Sequence, residues 1–122
     1  KKNELRILPA ITWVIIVTVL LCIPGSALPS ENWFDKVSLD KWIHVILFLI
    51  MVLLWCRYVS GSGGKKIRYF SQIAIYFFIY GIAMEVVQKY FIPNRSFDLG
   101  DILADGFGCG IGLVISARYI KK

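Results

Sequence analysis

YFSQIAIYFFIYGIAMEVVQKYFI, residues 69–92, is the stretch that decides the fold. It is apolar for most of its length, and its ionisable residues, Glu85 and Lys89, sit with Gln88 towards one end. As an α-helix rising 1.5 Å per residue it would be about 36 Å long, enough to cross a hydrocarbon core of about 30 Å. Three further apolar runs flank it: Ile7 to Ile23, Trp42 to Trp55, and Ile102 to Ile120, the last interrupted by Asp105. The first meets the lower limit of about 17 residues for a spanning helix, and the other two meet it once polar residues at their ends dip into the interface.

The composition agrees. Of 122 residues, 57% are hydrophobic and 18% charged, below the ~25% of a soluble domain. Mean hydropathy is +0.66, which excludes a disordered chain. A net charge of +6 in a soluble protein would point to nucleic acid, but here the charges stand at the ends of apolar runs, so no nucleic-acid partner is expected and membrane lipid is. The expected fold is an all-α integral membrane protein, a four-transmembrane-helix bundle forming one domain over residues 1–122, with helices at roughly 7–23, 39–58, 68–92 and 98–119. The first run exceeds the ~7–15 residues of a signal-peptide core, so it reads as a retained span.

Orientation follows from lysine and arginine. Lys1, Lys2, Arg6, Arg57, Lys65, Lys66, Arg68, Arg118, Lys121 and Lys122 fall on one side, against Lys36, Lys41, Lys89 and Arg95 on the other. The positive-inside rule then makes both termini cytoplasmic. Residues 60–64 read as a flexible connector, because their glycines lack the spacing of a phosphate-binding loop. The longer connection from Pro24 to Ser38, with Trp33 and Phe34, is expected to lie along the outer membrane surface. Cys22, Cys56 and Cys109 have neither CxxC spacing nor an even count, and read as small buried hydrophobes.

Polar residues gather at the outer side. Asp40, Lys41 and His44 open the second helix, Glu85 and Gln88 lie near the outer end of the third, Arg95 is in the third connection, and Asp98, Asp101 and Asp105 open the fourth. Asp40 and His44 share a face at i, i+4, Glu85 and Gln88 share one at i, i+3 that Gly81 extends, and the aspartates run i, i+3, i+7. A carboxylate facing lipid costs roughly 2.5–3.5 kcal/mol on insertion scales, so these faces should turn towards a shared polar cavity. Helix capping accounts for Asp98 and Asp101 equally well, and Lys41 and Lys89 can snorkel. Glu85 and Asp105 lie too deep for those explanations and, with His44, are the candidates for chemistry. Glu85 should pair with Arg95 or Lys41. Ala104, Gly108, Gly112 and Ser116 recur every fourth position and should seat a neighbouring helix, of the same chain or of a second copy.

Asp40-Lys41-x-x-His44, followed by Glu85-x-x-Gln88-x-x-Phe91-x-Pro93-x-Arg95-x-x-Asp98-x-x-Asp101-x-x-x-Asp105-x-x-Gly108, resembles the VanZ-like membrane proteins over roughly Leu39 to Gly112. That family more often has Asn at the position of Asp105 and Phe at that of Val45. It is named for a protein linked to low-level resistance to the glycopeptide teicoplanin. The resemblance implies a bacterial, multi-pass inner-membrane protein connected with the cell envelope, and it implies site residues Asp40, Lys41, His44, Glu85, Gln88, Arg95, Asp98, Asp101 and Asp105.

Two functions stay open. The pocket could bind or shield an envelope lipid, a lipid-linked precursor or a lipoglycopeptide without changing it. Alternatively it could be a membrane-embedded hydrolase or transferase, with His44 or Glu85 as general base and Lys41 and Arg95 holding an anionic group. No GxSxG or HExxH motif supports the second. The carboxylates could hold a divalent cation, but Lys41 and Arg95 already compensate their charge, so neither a metal nor another cofactor is expected. Transport is disfavoured, since polar residues at one end provide no path through the other half.

Overall fold

A computed structural model describes residues 2–23, 39–60, 66–92 and 99–120, with side chains from Leu5, Lys41, Ile67 and Leu99 onward in the four stretches. These residues form helices α1 (Lys2–Leu21), α2 (Leu39–Val59), α3 (Lys66–Phe91) and α4 (Leu99–Tyr119). The expectations for residues 24–38 and 61–64 fall outside the described residues. Helix α1 starts ahead of its apolar run, because Lys2, Asn3, Glu4 and Arg6 extend it. It closes with the amide of Cys22 donating to the carbonyls of Thr18 and Val19 at 3.1 Å, a tightened last turn.

Among the described residues, three helices are long and apolar enough to cross a membrane: 41–59, 67–91 and 99–119. The apolar part of α1 is shorter, Leu5–Leu21. Large aliphatic and aromatic side chains cover the outside of the bundle, among them Ile15, Val19, Ile75, Ile79, Phe107 and Val114. Helices apolar on both their inner and outer faces are stable in lipid rather than in water.

The core holds Val17, Phe48, Met51, Val52, Phe70 and Phe77. Its tightest joint is between α2 and α4, which run parallel from the same end. A Cβ on Gly108 would strike the Val45 carbonyl, and one on Gly112 would come within 3.0 Å of the Leu49 carbonyl. The stripe Ala104, Gly108, Gly112 and Ser116 is buried throughout. Its neighbour is therefore α2 of the same chain, brought to backbone contact by the missing side chains. Helix α1 packs on α2, where Trp13 Nε1 donates to the Leu47 carbonyl at 3.0 Å. It meets α3 through a hydroxyl pair, Thr18 with Tyr80, and through Gln88 Nε2, which donates to the Leu21 carbonyl at 2.8 Å. All three cysteines are free thiols, and Cys56 and Cys109 are buried as expected of small hydrophobes.

Candidate functional site

The parallel register of α2 and α4 builds the polar cluster. Lys41 and His44 are one turn apart on α2, and Asp101 and Asp105 are one turn apart on α4. With the backbones drawn together at Gly108, the two pairs meet side by side. Lys41 Nζ donates to Asp101 Oδ1 at 2.9 Å. Asp105 Oδ1 lies 2.7 Å from His44 Nδ1, a hydrogen bond that joins the imidazole to the carboxyl group. The other ring nitrogen, Nε2, stands 3.8 Å from Asp101 Oδ2. That separation is beyond a hydrogen bond but within ion-pair range.

Helix α3 closes the third side. Gly81 faces Asp105, and a Cβ there would lie 2.6 Å from Oδ2. The glycine leaves the notch that the carboxylate fills. One turn further, Glu85 is 2% exposed and within electrostatic reach of His44. Gln88, on the same face, is 1% exposed, and its amide nitrogen is engaged by the last turn of α1. Below the imidazole lies Phe48, stacked at 6.5 Å and nearly parallel, and beyond it Tyr80 at 6.0 Å. The sequence signal for Phe48 was its place one turn below His44 on α2. Tyr80 carried no comparable signal.

The structure thus brings together Lys41, His44, Asp101 and Asp105 by direct contact, with Glu85 and Gln88 buried alongside. Arg95 and Asp98 lie outside the described residues, as does the side chain of Asp40. The ammonium of Lys41, one of the two cations expected for Glu85, sits on Asp101. Among the described residues no group of three or more His, Cys, Asp or Glu side chains is disposed to hold a metal ion.

Chemically, the imidazole is oriented through Nδ1 and presents Nε2 towards an acid that a lysine holds in place. Among the described residues its nitrogens face carboxylates and no hydroxyl or thiol. An imidazole so held can serve as a fixed hydrogen-bonding group or exchange a proton.

No solved structure matches the chain significantly. It is similar to an uncharacterized protein of the fission yeast Schizosaccharomyces pombe, 29% identical over 85 residues, which cover 68% of this chain. The matched region is 49% of that relative, so the chain spans about half its length. A family model described as VanZ/LLP1 matches residues 7–120, a range that contains all four helical cores and every residue of the cluster, and the chain belongs to the VanZ/LLP1 family.

Proposed function

We propose that the chain is a four-span membrane protein of the bacterial inner membrane, with both termini in the cytoplasm. The Lys41–Asp101–His44–Asp105 cluster then binds the polar end of an envelope amphiphile at the outer leaflet. The occupant is an envelope lipid, a lipid-linked precursor or a lipoglycopeptide of the teicoplanin type. The fourth span is α1, whose apolar stretch Leu5–Leu21 is 17 residues long, Arg6 included, at the lower limit of about 17 for crossing. The orientation rests on the ten-to-four split of lysine and arginine. The observation that carries the reading is His44, buried within a turn and a half of the start of α2 and held between two carboxylates. Ionisable groups buried at membrane depth are costly, and a fold that keeps four of them together has a use for them.

A second reading is favoured by one contact. The 2.7 Å bond from Asp105 fixes the imidazole as an acid–base catalyst requires, so the same cluster would serve a membrane-embedded hydrolase or transferase acting on a lipid-linked envelope substrate.

Asp105→Asn separates the two. It keeps an oxygen acceptor opposite His44 Nδ1 and removes the charge. If the cluster only binds, the variant retains lipoglycopeptide binding in nanodiscs and any teicoplanin tolerance conferred on a host cell. If it catalyses, the same variant loses activity by the ~100-fold or more typical of a lost acid–base partner. Binding and tolerance both unchanged in His44→Ala would end both readings.

A further inference from the structure

Where α2 and α4 begin, the face that their joint turns outward carries a furrow of about 340 Å³. Val45 and Ala104, both buried, form its floor, and Trp42, Leu103 and Phe107, all exposed, form its walls. These three large apolar side chains face the bilayer. Lys41 and Gly100 stand at the end nearest the helix starts. From Gly100 to Phe107, at 1.5 Å per residue, the furrow is about 10 Å deep, within the ~15 Å of one leaflet.

The furrow ends in charge. Lys41 lines it and is also a member of the cluster, its Nζ donating to Asp101 Oδ1 at 2.9 Å. The two side chains are 29% and 12% exposed, so the pair is reached from outside past the lysine. A positive and a negative group side by side, followed by an apolar channel, complement an amphiphile that carries both signs in its head. A larger groove between α1 and α3, about 690 Å³, has no charged side chain on its walls among the described residues, and nothing in it selects an occupant.

We infer that this furrow seats an acyl chain of a phospholipid whose headgroup places its phosphate on Lys41 and its primary ammonium on Asp101. The inference rests on the reading of the cluster as the head site of an amphiphile. It selects an envelope lipid as the occupant and has it enter sideways from the outer leaflet. Parting Lys41 from Asp101 is costly when it leaves a carboxylate uncompensated, and a zwitterion replaces the one ion pair with two. A headgroup with a phosphate alone takes the lysine and leaves Asp101 without a cation. A quaternary ammonium brings the charge but no N–H, and so no charge-assisted hydrogen bond to the carboxylate. Mismatched charge thus discriminates against the wrong lipids as matched charge favours the right one.

The full chain is placed in nanodiscs of unlabelled phosphatidylcholine with a small fraction of phosphatidylethanolamine, phosphatidylglycerol or phosphatidylcholine carrying a diazirine in the acyl chain. After irradiation the labelled peptides are mapped by mass spectrometry. Residues 75–79 of α3 serve as the reference, since Ile75 and Ile79 are exposed and do not line the furrow. The ethanolamine lipid should label 42–45 and 103–107 roughly ten-fold above that reference, the scale of one charge-assisted hydrogen bond. The other two lipids should label both regions alike. Leu103→Trp, which fills the furrow from an exposed position, should remove the excess, and Asp101→Asn should reduce the ethanolamine lipid to the level of phosphatidylcholine. Equal labelling of the two regions by the ethanolamine lipid in the unaltered chain would mean ordinary boundary lipid. That result overturns the inference and leaves the cluster to its other occupants, which Asp105→Asn tests separately. A furrow left unlabelled beside a labelled reference would mean that a second copy or residues 24–38 cover it, and would also overturn the inference. An excess that is the same for all three lipids, or that survives Asp101→Asn, would show a tail held without the cluster and count against the head-site reading itself.

Discussion

The two ends of this bundle solve opposite problems. At one end, Lys41, His44, Asp101 and Asp105 are drawn inward and bonded to one another, with Glu85 buried beside them. At the other, Arg57, Arg68 and Arg118 stay exposed, and the interior is the apolar groove between α1 and α3. Charges that face a headgroup region can snorkel at little cost, so the exposed arginines need no protein partner. Charges placed below the helix ends need neighbours, and the glycines at 81, 108 and 112 exist where those neighbours must come close. Burial of charge is thus coupled to tight packing at one end, and exposure of charge to loose packing at the other.

The coupling breaks most visibly if His44 is lost. Asp105 is 1% exposed and has His44 as its hydrogen-bond partner, so His44→Ala leaves a buried carboxyl without it. Removing one member of a buried charge pair typically costs about 3–5 kcal/mol, and thermal unfolding in mild detergent should show a loss of that order. His44→Gln, which retains a donor, should recover part of it. A melting temperature unchanged by His44→Ala would mean that the cluster contributes nothing to the joint between α2 and α4.

Gly108→Leu tests the packing half of the comparison. A side chain there meets the Val45 carbonyl and the Phe48 Cβ, which belong to the facing helix and cannot swing away. Overpacking of this kind costs about 1–3 kcal/mol, and the helix shift should also part Lys41 from Asp101. Leu113→Ala, at a half-buried position off the stripe, should cost less than the ~2 kcal/mol at which fully buried leucines begin. The reverse order, measured by thermal unfolding of the two variants side by side, would show that the close approach is not what holds α2 and α4.

Gln88→Met keeps most of the volume and removes the donor to the Leu21 carbonyl, for about 1 kcal/mol. Its effect should be local. Hydrogen exchange should rise in the last turn of α1 and not in α2 or α4. Spread of the change to α4 would make α1 an integral wall of the cluster rather than a helix pinned beside it.

Much of this was legible in the residues, and the gaps have a physical pattern. The 69–92 run showed a spanning helix because length and apolarity act along one chain. The gathering of Asp101, Asp105, His44 and Glu85 at one end followed from their order in the sequence once the helices alternate in direction. The every-fourth-residue stripe showed that α4 must be approached closely, but not by which helix. The choice of α2 depends on four helices packing at once, and it is that choice which gives Lys41 to Asp101. Gln88 read as part of the polar face, yet its amide nitrogen answers the open carbonyl of a helix end nearly seventy residues earlier. The groove between α1 and α3 was not legible at all. It exists because α1 leans on α2 and leaves α3, and no local pattern records the angle between two helices.

Glu85→Gln should have the smallest effect on the fold and is the sharpest probe of what the buried end is for. Glu85 is 2% exposed, and glutamine keeps its shape and an oxygen acceptor while removing the charge. Because burial of a carboxylate is itself costly, losing the charge should change stability by no more than about 1 kcal/mol in either direction. Helix α3 would still carry Gly81 into the Asp105 notch, and His44 would still sit on Asp105. What changes is the field at His44, where one nearby negative charge is gone. If the cluster acts through its charge, whether by holding an amphiphile or by exchanging a proton, ligand binding or turnover should fall by ten-fold or more while unfolding in detergent is unaltered. An active, folded Glu85→Gln removes Glu85 from the working group and leaves Lys41, His44, Asp101 and Asp105 to carry it. A variant that no longer folds makes Glu85 a structural ion-pair member, and the buried end then differs from the exposed end in how it stays together, not in what it does.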